Sequence, residues 1–267
     1  MTAGTRADVI SSFTVIKGSL LPETYEVFQR WRLDRSKKEN LDEVREGAWL
    51  TSGTANWRRD VAWVLNRRFE PEDRDRNLVR LAQAGCPREA WDPLVLWHIT
   101  RDEFLVRDFL VRWLFAEYQA GTFRLRPADV APYLDRLAEE GRTQDGKPWS
   151  ESTRSRVASG LLQMAADFGL LSGGSVREFR STHLRDRTFL YLVHELLAAT
   201  GGARRALDAP DWHMYLLDAP RVEEELLRLH QFQKVRFERA GSLVEVKLPH
   251  SDTDAFADAW IAEELSA

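Results

Sequence analysis

Between Ser150 and Phe168 the chain sets short polar side chains along one side of a helical repeat: Ser152, Ser155, Ser159 and Gln163. Val157, Leu161, Met164, Ala165 and Phe168 recur on the opposite side, the period of an amphipathic helix. Arg154 and Arg156 flank the polar face, and Thr153 lies in the first turn. Such a face suits contact with nucleic acid. Small side chains permit close approach to base edges, arginine pairs with guanine or phosphate, and a helix amino end attracts anions. On this reading Ser152, Thr153, Arg154, Ser155 and Arg156 meet DNA. A Ser-rich face in plain solvent has the same pattern, so the residue chemistry leaves both open.

Further basic residues follow at Arg177, Arg180, His183, Arg185 and Arg187. Arg177, Arg180 and Arg185, together with Lys17 near the start, are expected to track a phosphate backbone. The alternative is a solvated loop whose arginines pair with Glu178 and Asp186. A third set, Arg58, Arg59, Arg67 and Arg68, sits among tryptophans, as stacking sites do. Trp57 shares a stripe with Val61 and Val64, however, and reads as core; Trp63 lies off that stripe. Near the carboxyl end, Lys234, Arg236, Arg239 and Lys247 mingle with Glu238 and Glu245, and cross-strand ion pairs are the simpler account.

Catalytic constellations are missing. The sequence has no GxxxxGK[ST], GxSxG or HExxH, so the phosphate-cradling loop, hydrolase elbow and zincin helix are not expected. Cys86 is alone, which excludes an internal disulfide and a cysteine-rich zinc site. His98, His183, His194, His213, His230 and His250 are scattered, and His194-Glu195 is a lone pair. The pairs Asp73 with Asp75 and Asp252 with Asp254 read as helix starts. No catalytic residue, metal, cofactor or small-molecule substrate is expected.

These residues must be positioned by helices. Pro22 fits a first turn, with Tyr25, Phe28 and Trp31 following; Asn40 is expected to cap a helix through Trp49, and Ser52 or Thr54 the next. Further starts are expected at Asp73, at Thr100 with Glu103 in capping-box spacing, at Pro127, and at Ser150 or Ser152. The last helices are expected over 188–199, 220–230 and 251–265. Alternation at Val235, Phe237, Val244, Val246 and Leu248 about Ala240-Gly241 predicts a hairpin. A helix followed by a hairpin is also the order of a winged-helix module. The expected fold is mainly α: a compact multi-helix protein with helix-turn-helix-like elements and one short C-terminal β-hairpin. Its expected parts are 1–95, a central 96–200 holding the recognition helix 152–168, and 201–267. Expected linkers are 141–149, 173–175 and 201–202.

Ten tryptophans and a net charge of -4 in 267 residues argue at first against nucleic acid. The charge is uneven. Residues 1–69 carry 12 basic and 9 acidic side chains and residues 142–188 carry 8 and 5, so each block is +3, whereas 70–141 is -4 and 189–267 is -6. Two basic blocks can form one basic face. No stretch approaches the roughly 20 apolar residues that span a bilayer, and no amino-terminal signal is evident. A cytoplasmic protein with no membrane partner is expected.

Two stretches resemble a known family. Phe13 to Thr24 (FTVIKGSLLPET), a basic-glycine lead into a helix, is similar to the opening of the A protein of BREX (bacteriophage exclusion) defence systems. Glu151-Ser152-Thr153-Arg154, with Val157, Leu161-Leu162 and Phe168-Gly169-Leu170-Leu171, resembles its other recurring stretch. The likeness runs from about 12 to about 250 and loosens beyond 200, so the hairpin and last helix read as an extension. The resemblance implies a compact helical protein without catalytic activity that binds double-stranded DNA through basic surface and works beside other BREX proteins. The expected function is therefore a non-enzymatic DNA-binding accessory component of phage defence; the alternative is a protein–protein adaptor within the same complex.

Overall fold

The computed structural model describes residues 10, 12–47, 49–51, 53–143, 147–241 and 243–266. It begins with α1 (Ser12–Lys17), α2 (Leu21–Arg30), α3 (Lys37–Glu46), α4 (Ala55–Arg68), α5 (Arg76–Gln83) and α6 (Arg88–Ile99). A continuous helical rod follows: α7 (Phe104–Asp108), a π-helical stretch (Phe109–Leu114) and α8 (Phe115–Gln119). Then come α9 (Pro127–Glu139), α10 (Glu151–Asp167) and a short antiparallel pair, β1 (Leu171–Gly173) with β2 (Arg177–Phe179). The remainder is α11 (Asp186–Thr200), α12 (Ala203–Leu207), a 3-10 turn (Pro210–Tyr215), α13 (Ala219–Gln231), β3 (Arg236–Ala240), β4 (Leu243–Lys247) and α14 (Thr253–Glu264). The fold is mainly α, with two separate two-stranded sheets among the described residues.

Side-chain caps explain several boundaries. Thr54 accepts from Trp57 N, Ser150 from Thr153 N, Asp218 from Arg221 N and Asp252 from Ala255 N, each satisfying an amide that the helix leaves unpaired. Residue 52, the other expected cap of α4, lies outside the described residues. Apolar stripes do the rest, burying one continuous core cluster that runs from Ile10 to Trp260. Val95, at the expected edge of the first part, lies inside α6 and is buried in that cluster.

Several local expectations are corrected. Asn40 caps nothing: α3 starts at Ser36, in a capping box with Glu39. Instead Asn40 is buried and its amide bonds Arg32, Arg35 and Ser36 carbonyls, stapling the α2–α3 loop. The helix expected at Asp73 starts at Arg76. Thr100 and Glu103 form no capping box, because Thr100 Oγ1 donates to Trp97 O and Glu103 turns inward to Thr14 and the α4 arginines. Helix α6 went unread; Pro93 inside it and eight buried residues along it obscure a 3.6 period. Residues 173–175 are not a linker: Gly173 ends β1, opposite Arg177, and 174–175 lie in the hairpin turn; β2 also pairs with Leu125 through Arg177. Residues 144–146 of the 141–149 segment lie outside the described residues.

The C-terminal hairpin is present, with Phe237 opposite Val246 and Ala240 opposite Leu243. Its ion pairs are not cross-strand: Arg236 pairs with Glu238 and Lys247 with Glu245 along their own strands, and Arg239 reaches Glu223 on α13. Opposite charges two residues apart on one strand allow this, since alternate side chains share a face. The hairpin rests on α12 and α13, and α14 returns across α5 and α11.

Candidate nucleic-acid interface

The expected stripe of α10 is buried as read, except that Phe168 is half-buried, while Ser152, Ser155, Ser159 and Gln163 are exposed. Its inner face packs against α1 on one flank and α9 on the other. Gly160 makes the first contact possible: a Cβ there would lie 2.7 Å from the Val15 carbonyl oxygen. Helices α9 and α10 are joined by residues 140–150, longer than the three- or four-residue turn of a helix-turn-helix.

The polar face of α10 forms one wall of an open cleft of about 990 Å³. The cleft is also lined by the α1–α2 junction, Val15 to Glu23, and by Trp57, Arg88, Asp92, Gly174, Ser175 and Arg177. The two stretches that carry the family likeness thus both line it.

A buried ion cluster fixes the junction. Arg68 is fully buried and donates to the carbonyls of Thr14, Gly18 and Ser19 at 2.9, 2.9 and 3.0 Å. Its charge faces Glu103, also buried, whose other oxygen accepts from Thr14 Oγ1 at 3.0 Å. Gly18 at φ 84° and Leu20 at φ 54° make the turn. A left-handed leucine costs about 1–3 kcal/mol, and the arginine clamp on the surrounding carbonyls holds it there. Ser19 then donates to Asp167 at 2.6 Å, and Gln163 donates to the same carboxylate at 2.6 Å, tying junction to helix.

The expected contact residues divide. Lys17, Ser155, Arg156 and Arg177 line the cleft. Lys17 is ion-paired to Asp60 and sits 5.1 Å from the Phe13 ring centre. Arg177 donates to Gln163 Oε1 at 2.5 Å and to the Gly173 carbonyl. Arg156 is exposed, with no ion pair or hydrogen bond among the described residues. Ser152 and Thr153 stay at the start of α10, bonded to the Ser150 hydroxyl at 3.2 and 3.0 Å. Arg154 turns aside and holds Asp135 of α9 at 2.6 and 2.8 Å; that hydrogen bond and the carboxylate charge raise its pKa. Arg180 borders a separate cavity of about 280 Å³ with His183 and Tyr215, and Arg185 reaches Glu89 at 3.7 Å.

Other arginines are committed elsewhere. Arg187 pairs with Glu263 and Glu264, and Glu178 and Asp186 take Arg124, Arg228 and Lys234 rather than their sequence neighbours. Arg67 and Arg68 turn toward Glu103, so the third basic set loses half its charge to the interior. Trp57 is half-buried and borders the cleft, and Trp63 is 46 % exposed with its ring edge-on to Phe13 at 4.6 Å. Sequence reasoning missed Trp57, Arg88 and Ser19 as cleft residues. The one usable signal was Gly160, a helix-interior glycine that marks close backbone approach.

Among the described residues no group of three His, Cys, Asp or Glu side chains is arranged to hold a metal ion. A buried chain, Asp75–His98–Tyr191, has hydrogen bonds of 2.6 and 3.2 Å. It borders none of the described cavities and bolts α5, α6 and α11 together.

The BrxA family model matches residues 11–195. The chain belongs to the BrxA family. Membership ties it to BREX phage defence, with other defence proteins as its companions. A search of curated proteins finds no match. The cleft lies wholly inside the stretch shared with the BrxA family, whereas α12 to α14 and the C-terminal hairpin lie beyond it. The likeness therefore stops well short of the expected residue 250. No described helix is long and apolar enough to cross a membrane.

Proposed function

We propose that this BrxA-family chain is a non-enzymatic, double-stranded-DNA-binding component of a BREX system, acting in the cytoplasm through the cleft and the adjoining start of α10. The observation that carries this reading is convergence. Arg156, Arg177 and Lys17, from segments far apart in sequence, border one cleft beside the hydroxyls of Ser155 and Ser159. Arg156 is the cleft cation with no partner to give up among the described residues. Ser152 and Thr153 extend the same helix face toward a duplex, and Arg180 and Arg185 supply outlying phosphate contacts. The test is a gel-shift titration at rising salt. Binding that weakens as salt rises, and weakens again in Arg156→Ala, supports the reading; no binding at low salt sinks it. Incubating plasmid DNA with divalent metal ions checks the non-enzymatic part, since nicking would contradict it.

A second reading, the adaptor, has its own support. Most arginines near the cleft are already paired, while Phe123, Phe232 and Leu243 are 68, 64 and 70 % exposed. Retention of a BREX partner after nuclease treatment, with no DNA shift, would favour it.

A further inference from the structure

A duplex-reading helix must project. To reach base edges it enters a groove about 12 Å wide and 8.5 Å deep, while a helix with its side chains is itself about 10–12 Å across. The polar face of α10 does not project. Ser155, Ser159 and Gln163 line a cleft that the Lys17–Glu23 junction, Trp57 and Arg177 also line. A helix face that lines a recess suits something narrower than a duplex.

We propose that the cleft holds an unpaired DNA strand, so that the protein prefers duplex carrying a single-stranded stretch. This rests on the DNA-binding reading above and specifies what its central site takes. A site for single strands needs cations along the backbone and an aromatic face for a base. Arg156 and Arg177 border the cleft as the cations, and Trp57 borders it as the aromatic. Gly53 lies close against the Trp57 ring: a Cβ there would come within 2.6 Å of Cδ1. Hydroxyls of Ser155 and Ser159 present small polar groups that tolerate any base edge. The cleft volume, about 990 Å³, lies at the top of the range for pockets that take small ligands, room for a short run of nucleotides. Glu23, Asp92 and Asp167 also line the cleft; Asp92 is taken by Arg88 and Asp167 accepts from Ser19 and Gln163, so the anionic strand runs past Arg156.

Fluorescence anisotropy with two probes tests it: an intact short duplex, and the same duplex with a central single-stranded gap. The gapped probe is expected to bind about tenfold tighter. Ser159→Trp, which fills the cleft from an exposed helix position, is expected to erase that preference, and Trp57→Ala to reduce it while Trp57→Phe restores it. Lys247→Glu, on the remote hairpin, leaves the preference unchanged. Equal binding of both probes, or a preference that survives Ser159→Trp with the helical circular dichroism intact, overturns the inference and leaves duplex binding standing. Failure to bind either probe overturns both.

Discussion

Arg68 is the residue on which the cleft most depends. It is fully buried, faces Glu103, and holds three carbonyls of the α1–α2 junction. Replacing it with Met breaks a buried ion pair and leaves Glu103 to Arg67 and Thr14, at a cost of about 3–5 kcal/mol. Urea denaturation should show that loss, and Arg68→Met with Glu103→Leu should recover part of it. His194 gives a pH signature. Burial, helped by the charge of His250 and opposed by Asp252, lowers its pKa from 6.5 to about 4. The folded state therefore favours the neutral ring, so its contribution is complete above pH 6.5 and is lost as pH falls toward 4. Thermal midpoints should drop through that window, and less so in His194→Phe. Asp75 acts lower: burial alone would raise it, but His98 and Arg74 outweigh burial and hold it at about 2. Its stabilisation is present above the usual value of 3.8 and fades as pH falls toward 2.

At the scale of elements, α10 works because it is small on two sides. Its outer serines leave the cleft open, and Gly160 lets α1 lie against its backbone. Gly160→Ala would improve intrinsic helix propensity by about 1 kcal/mol, yet its methyl would press on Val15 O at 2.7 Å. Overpacking of that kind costs about 1–3 kcal/mol, so net destabilisation by chemical denaturation is the expected outcome. The α9–α10 contact depends on Arg154 and Asp135. Arg154→Ala should therefore loosen that contact more than it alters DNA binding, whereas Arg156→Ala should do the reverse. Helix α14 lies beyond the family match and still matters to the fold. Asn77 reaches Asp254 at 2.6 Å, Arg187 reaches Glu264 at 2.8 Å, and Trp260 is 2 % exposed. Trp260→Ala is expected to cost about 3–5 kcal/mol, measurable as a lower denaturation midpoint.

For the whole molecule the electrostatic argument is about location. A net charge of -4 permits DNA binding only where cations escape their acidic neighbours, and Arg156 is such a place. A plot of log affinity against log salt should lose about one unit of slope in Arg156→Ala, and little in Arg154→Ala. Patterning along the chain already determined much of this protein. Caps at Thr54 and Ser150, the stripe Val157–Leu161–Met164 and the alternation about Gly241 are local signals, written within a few residues, and the mainly helical fold with a late hairpin follows from them. The polar face of α10 was legible for the same reason. Helix α6 was not, because burial on all sides removes the contrast that periodicity needs. Nor were the inward turn of Glu103, the capture of Arg154 by Asp135, or the cleft itself. Those depend on which side chains meet across distances of 19 to 148 residues, and a linear pattern carries no record of a partner. Sequence supplied the cations; only tertiary packing decided which of them are spent on the protein's own carboxylates and which remain for a ligand.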